Sequence, residues 1–223
     1  YAQIGEGVIK YEYTVDLHRN IPPEREELKN MIPQHRTENF MLFFNEKESL
    51  YKAAEENEQG GQGRGGGMRM MMRSPRTETY INREEREVTL LRDFMGRNYL
   101  ISDTLDLARW RVGDERMEIE GYICMMAWYS DTLNNQEITA WFTPQIQPFL
   151  GPDRFVSLPG TVLAVDINNG EQVWVAREVN KRKIRDEEIR KPNRGEKITQ
   201  EEYRKLVEQQ MERMGGSSGN RRF

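Results

Sequence analysis

Apolar and polar positions alternate with period two along most of the first 180 residues. In VIKYEYTVDL the apolar set Ile9, Tyr11, Tyr13, Val15 and Leu17 is interleaved with polar residues, which predicts an amphipathic strand. Pro22-Pro23 then opens EREELKNM, where proline in a first turn followed by acids predicts a short surface helix ending before Pro33. Asn39 to Tyr51, NFMLFFNEKESLY, predicts a mostly buried strand running into a charged turn. Strand pattern resumes at Thr79-Tyr80-Ile81. The runs Glu87 to Leu91 and Arg97 to Ile101 predict a hairpin turning at Asp93 to Gly96. Trp110-Arg111-Val112 follows, with Gly113-Asp114 read as a turn. From Met117, MEIEGYICMMAWYSD is strand-like and pairs across the polar loop Asp131 to Gln136 with EITAWFTPQI.

The most specific stretch is Phe149 to Val179, FLGPDRFVSLPGTVLAVDINNGEQVWVAREV. Gly151-Pro152 and Leu158-Pro159-Gly160 are turn sequences, and Asn169-Gly170 is a two-residue hairpin signal between alternating strands. With the turn there, Leu163, Val165 and Ile167 share a face with Gln172, Trp174 and Ala176, and Val165 sits opposite Trp174. No other helical period occurs before residue 180, so the predicted fold is mainly β: a curved antiparallel sheet or half-barrel.

Two segments depart from this pattern. Residues 55–75 turn acidic, then glycine-rich, then methionine-rich, which predicts a long flexible loop within a β-rich domain spanning 1–179. Residues 180–198 carry balanced charge and read as a linker. Thr199-Gln200-Glu201-Glu202 is a capping box, and Tyr203, Leu206, Val207, Met211 and Met214 recur at helical spacing to give one apolar stripe on a C-terminal α-helix at 199–214. Its own sheet and another subunit are both candidates to cover that stripe. Residues 215–223 read as a tail.

Composition narrows the function more than it defines it. Hydrophobic residues make up 36% and charged residues 31%, with a net charge of −4, so the chain as a whole has no attraction for nucleic acid or anionic lipid. No apolar run approaches the roughly 18 residues that would cross a bilayer. Tyr1-Ala2-Gln3 shows neither an initiator methionine nor a leader, which suggests a mature chain whose leader has been removed. Cys124 is the single cysteine and reads as a buried thiol.

His18 and His35 are the sole side chains suited to acid–base work near neutral pH, and no nucleophile elbow, zinc-binding helix pair or Cys-x-x-Cys occurs. An enzyme is therefore not the expectation. GGQGRGGG lacks the Gly-Lys-Ser/Thr ending of a phosphate-binding loop. Met68, Met70, Met71 and Met72 form a pliable contact surface for a partner or a plain loop, with soft Cu(I) ligation as the alternative. Trp110, Trp128, Trp141 and Trp174, with Tyr11 and Tyr13, build either an ordinary aromatic core or the lining of a ligand cavity on the concave face.

Trp110, Gly121 to Ala127, Ala140-Trp141-Phe142-Thr143, Gly151-Pro152 and Ser157-Leu158-Pro159-Gly160-Thr161-Val162, taken in order, resemble the GLPGLI family. The resemblance covers about Val8 to Val179. The signature hexapeptide reads SLPGTV in this chain, with Ser157, Thr161 and Val162 departing from it. Members are envelope proteins of Bacteroidota without an established activity, so the resemblance implies export to the periplasm or outer-membrane periphery and offers no catalytic residues. The resulting expectation is a non-enzymatic accessory subunit of an outer-membrane-associated envelope complex. Its partner contacts would be Met68, Met70, Met71 and Met72 with Tyr203, Leu206, Val207 and Met211. The alternatives are a periplasmic carrier of an apolar ligand and a methionine-rich copper protein. No cofactor, nucleic acid or transmembrane segment is expected.

Overall fold

The computed structural model describes residues 5–55, 76–105, 110–132 and 134–216, with the backbone alone at residues 20, 211, 212 and 214–216. Among them twelve strands form one open sheet that does not close into a barrel. In chain order these are β1 (Gly7–Asp16), β2 (His35–Phe44), β3 (Glu48–Ala53), β4 (Thr77–Asn82), β5 (Glu87–Phe94), β6 (Arg97–Thr104), β7 (Arg111–Ile119), β8 (Tyr122–Asp131), β9 (Gln136–Thr143), β10 (Thr161–Ile167), β11 (Gln172–Asn180) and β12 (Glu196–Ile198). Helix α1 (Gln200–Gly216) follows. Across the sheet the order is β12-β6-β5-β4-β3-β2-β1-β11-β10-β9-β8-β7. Every pair is antiparallel except β12 beside β6. The expected mainly β architecture with a C-terminal helix is what forms.

Two runs read as single strands divide instead. Asn39 to Tyr51 becomes β2 and β3, because the Asn45 side chain accepts from the backbone N–H groups of Lys47 and Glu48 and locks a turn. Met117 to Asp131 becomes β7 and β8, with Glu120 and Gly121 both at positive φ. Two consecutive left-handed residues match the right-handed twist of a two-residue hairpin. Met95-Gly96 does the same between β5 and β6. Gly113-Asp114 is not a turn but lies within β7, at the irregularity in its pairing with β8 between Val112 and Arg116. The piece after Pro22 is a 3₁₀ segment, Pro23–Asn30, broken at Arg25 and without a buried residue.

The hairpin at Asn169-Gly170 forms in the expected register, Val165 opposite Trp174 and Ile167 opposite Gln172. On its other side β11 pairs with β1, so Trp174 also faces Tyr13. One inner-face row then runs Ala127, Ala140, Val165, Trp174, Tyr13 across five strands. The sheet is strongly curved toward this face. Trp174 on β11 donates through Nε1 to the Tyr51 hydroxyl on β3, 3.1 Å away. Those strands stand three apart, about 14 Å along a flat sheet.

Residues 144–160 fold back into the concavity and fill much of it with Ile146, Leu150, Phe155 and Leu158, each at most 2% exposed. Close approach dictates the glycines here. A Cβ on Gly151 would lie 2.0 Å from the Phe155 carbonyl oxygen, and one on Gly160 2.4 Å from that of Thr143. Gly160 does not adopt positive φ, so space rather than backbone freedom requires it. Ser157 accepts from Trp110 Nε1 at 2.8 Å, and the Tyr11 hydroxyl donates to the Val162 carbonyl at 2.6 Å.

On the outer face a register row of Val8, Phe43, Leu50 and Tyr80 crosses four strands. The chain after β11 runs over it as a strap that buries Ile184 and Ile189 against Val8, Leu50 and Tyr80. Arg182 donates twice to Glu188 at 2.9 and 2.6 Å, and Glu188 also accepts from the Arg185 backbone. The strap delivers β12 to the edge of β6. Thr199 and Glu202 then form the expected reciprocal cap of α1. Tyr203 packs edgewise on Phe94 and against Tyr99, so the helix docks on its own sheet through its first turn.

Candidate ligand cleft

Between the strands and the returning loop the concavity leaves a cleft of about 330 Å³. Its floor is a cluster of rings positioned by strand register. Tyr13 on β1 lies against Trp174 with centroids 4.5 Å apart and meets the edge of Phe40 on β2 at 6.1 Å. Phe40 stacks on Tyr51 at 5.0 Å, and Phe155 of the returning loop meets Trp174 at 5.5 Å. Their polar atoms are committed inward: the Tyr13 hydroxyl donates to Gln172 Oε1 at 3.1 Å, and Tyr51 accepts from Trp174. Burial pushes the Tyr13 phenol up to about 12 and Tyr51 well above its ordinary value, so both stay neutral at physiological pH.

The rim is polar. Asp153, at positive φ, accepts from Thr79 Oγ1 and from Arg92 Nη2, each at 2.7 Å. Burial alone would raise its carboxyl, but the charge of Arg92 and the bond from Thr79, with help from Arg154, outweigh this and hold it below the usual carboxylate range. Arg154 sits over the Phe155 ring, 5.4 Å from its centroid, and donates Nη2 to Gln136 at 2.9 Å. Arg36 Nε lies 3.0 Å from Glu38 Oε1, an ion-pair distance without hydrogen-bond alignment, so its buried N–H donates to nothing among the described residues.

A wider opening of about 680 Å³ lies among Gly5, Glu6, Asn45, Glu46, Lys47 and Lys181 to Lys183. Its polar groups mostly do structural tasks: Glu6 accepts from the Ile184 backbone, Arg182 is held by Glu188, and Asn45 caps the β2–β3 turn. The smaller cleft is the better candidate because buried rings back it.

Of the four tryptophans expected to line a cavity, Trp174 does so. Trp110 is half-buried against the edge of Tyr129 and anchors the returning loop through Ser157. Trp128 and Trp141 alternate with Ala127 and Ala140 and therefore stand on the outer face; Trp128 and Met126 lie over Gly113. Met68, Met70, Met71 and Met72 lie outside the described residues, as does the side chain of Met211. Leu206 and Val207 are half-exposed on α1. Cys124 is fully buried, and burial pushes its thiol up to about 12. Among the described residues no group of three or more His, Cys, Asp or Glu is arranged to hold a metal ion.

Sequence reasoning did not anticipate Phe40, Tyr51, Asp153, Phe155, Arg36 or Arg154. The aromatic members carried a signal, since Tyr13 and Trp174 were both on predicted inner faces. What joins them is the pairing of β1 with β11, strands separated by most of the chain.

No family model matches this sequence, and no curated protein matches it. The fold is similar to that of PNGF-II. In its P21 crystal form the TM-score is 0.60 at 21% identity, covering 92% of this chain and 33% of that one. In its C2 form the TM-score is 0.60 at 19% identity, covering 91% and 32%. At these identities the likeness shows a shared fold, and the chain spans about a third of the length of the PNGF-II chains it matches.

Proposed function

We propose that this chain is a non-catalytic binding module whose inner-face cleft seats a small ligand with a flat apolar face and a polar edge. One observation carries the reading: Tyr13, Phe40, Tyr51, Phe155 and Trp174 converge from three strands of one sheet region, from β3 and from the returning loop on one cleft with a polar rim. A volume of about 330 Å³ is at the small end of ligand sites. The polar rim favours an amphipathic ligand over the purely apolar one expected from the tryptophans. Of the two carboxylates in the lining, Asp153 is tied to Arg92 and Thr79 and Glu38 lies beside Arg36, which suits structural roles better than proton transfer. The GLPGLI resemblance adds the cell envelope as the proposed setting, and the length of PNGF-II is compatible with a module of a larger assembly.

The test is a filled cleft. Thr77→Trp sends a ring into the cleft from its rim, on the first residue of β4, and replaces no member of the aromatic floor. Binding of naphthol, followed by calorimetry, is expected in the parent chain and in Glu118→Ala on exposed β7, and is expected to vanish in Thr77→Trp. Equal binding in all three would sink the reading.

A second reading, an accessory subunit held to a partner protein through the methionine cluster and α1, retains one supporting observation: Leu206 and Val207 stay half-exposed after Tyr203 has docked. Deleting 199–214 would then release the chain from a native envelope complex on size exclusion. Retention would count against α1 as the contact.

A further inference from the structure

We infer that the cleft selects anions: a flat ring bearing a carboxylate, sulfonate or phosphate, with the ring on the aromatic floor and the anionic group between Arg36 and Arg154. This rests on the cleft being a binding site, and it follows from how the four charged side chains of its lining are committed. Asp153 is neutralised by Arg92, a residue outside the lining, through a 2.7 Å bond. Arg36 and Glu38 offset each other in charge. Arg154 is left in no ion pair among the described residues, so the four lining charges balance and Arg92, bonded to Asp153 from outside, adds one positive charge beside the cleft.

The quality of the pairings points the same way. Other guanidiniums in this protein close firmly on a carboxylate: Arg182 makes two bonds to Glu188, and Arg177 approaches Glu12 at 2.7 Å. Arg36 is different. Its Nε is close to Glu38 but misaligned, and the side chain is one-third exposed at the cleft. Arg154 spends one nitrogen on the neutral Gln136 and lies over a ring, leaving its remaining donors for an acceptor. An oxyanion satisfies such donors with charge-assisted bonds, which are about twice as strong as neutral ones. Glu38 opposes an anion on the same rim, which makes its removal informative.

The experiment compares three matched probes by calorimetry: naphthalene sulfonate, naphthol and naphthylmethylammonium. The sulfonate is expected to bind about ten-fold tighter than naphthol, the size of one charge-assisted contact, and the ammonium more weakly than either. Arg154→Gln and Arg36→Gln, made singly, should each weaken sulfonate more than naphthol and so narrow the gap between the two, and Glu38→Gln should tighten sulfonate. Arg154 is exposed, so its variant keeps the fold. Equal affinity for sulfonate and naphthol, or a preference for the ammonium, overturns anion selection and leaves the binding module standing. Failure of all three probes to bind overturns both.

Discussion

At the residue scale, two glycines and one aspartate decide whether the returning loop can fill the concavity. Gly160→Ala would press a methyl group against the Thr143 carbonyl and the Phe142 ring, and the strand backbone at Thr143 cannot swing aside. The expected cost is about 2–4 kcal/mol by chemical denaturation, at the upper end for overpacking; a variant as stable as the parent would mean the loop sits differently. Leu158-Pro159-Gly160 is legible in sequence as a turn, but the reason for its glycine is a strand that ends seventeen residues earlier, and no local pattern reveals that. Asp153 carries the second prediction. Its carboxyl is held below the ordinary range, so its bonds to Arg92 and Thr79 contribute stability above the unfolded carboxylate pKa of about 3.9, and that stability is lost as pH falls through the lower folded value. Asp153→Asn should therefore lower the melting temperature at pH 7 and shrink the difference from the parent at strongly acid pH. A pH-independent difference would assign the effect to packing alone.

At the scale of elements, strands were legible wherever period two was uninterrupted, and turns wherever asparagine preceded glycine. Glu120-Gly121 escaped because glutamate is not a left-handed residue by habit, yet it takes φ 50° there. The strap escaped for another reason. Balanced charge in KRKIRDEE reads as solvated linker, while Ile184 and Ile189 are each buried to 8% exposure on the outer face and Arg182 closes on Glu188 around them. Bonding from Arg182 first, partly opposed by burial, and then from Arg185 holds the Glu188 carboxyl at about 2. This stabilisation is present above the ordinary glutamate value of about 4.3 and is lost as pH falls from there through about 2, and for a pair near the surface it amounts to about 1 kcal/mol. Hydrogen exchange of 182–189 should accelerate over that interval before the sheet does; simultaneous opening would mean the strap is not a separate unit. For α1, Tyr203→Ala removes the ring that meets Phe94 and Tyr99. It is expected to raise exchange in 200–210 while β5 and β6 stay protected, at a cost of about 1 kcal/mol.

On the scale of the whole molecule, the class of fold could be read from the sequence and its curvature could not. Alternation says which residues share a face, but whether that face is flat or folded depends on contacts between strands that are not neighbours. The cleft exists because of such contacts: Trp174 reaches over β1 and β2 to Tyr51, a separation of 123 residues, and Phe155 closes the same ring cluster from the loop. A flat sheet would hold the indole and the phenol too far apart to interact. This makes the bond a gauge of curvature in solution. Tyr51→Phe leaves a buried indole N–H without its acceptor and should cost about 1–2 kcal/mol. Replacing Trp174 by Phe as well removes the donor, so the double variant should be more stable than the sum of the two singles by about 1 kcal/mol in a double-mutant cycle. Coupling of that size would place β3 and β11 within bonding distance in the native ensemble. Additive effects would mean that the sheet opens out in solution, and an opened sheet separates Tyr13, Phe40, Tyr51 and Trp174 and leaves no cleft for any ligand to occupy.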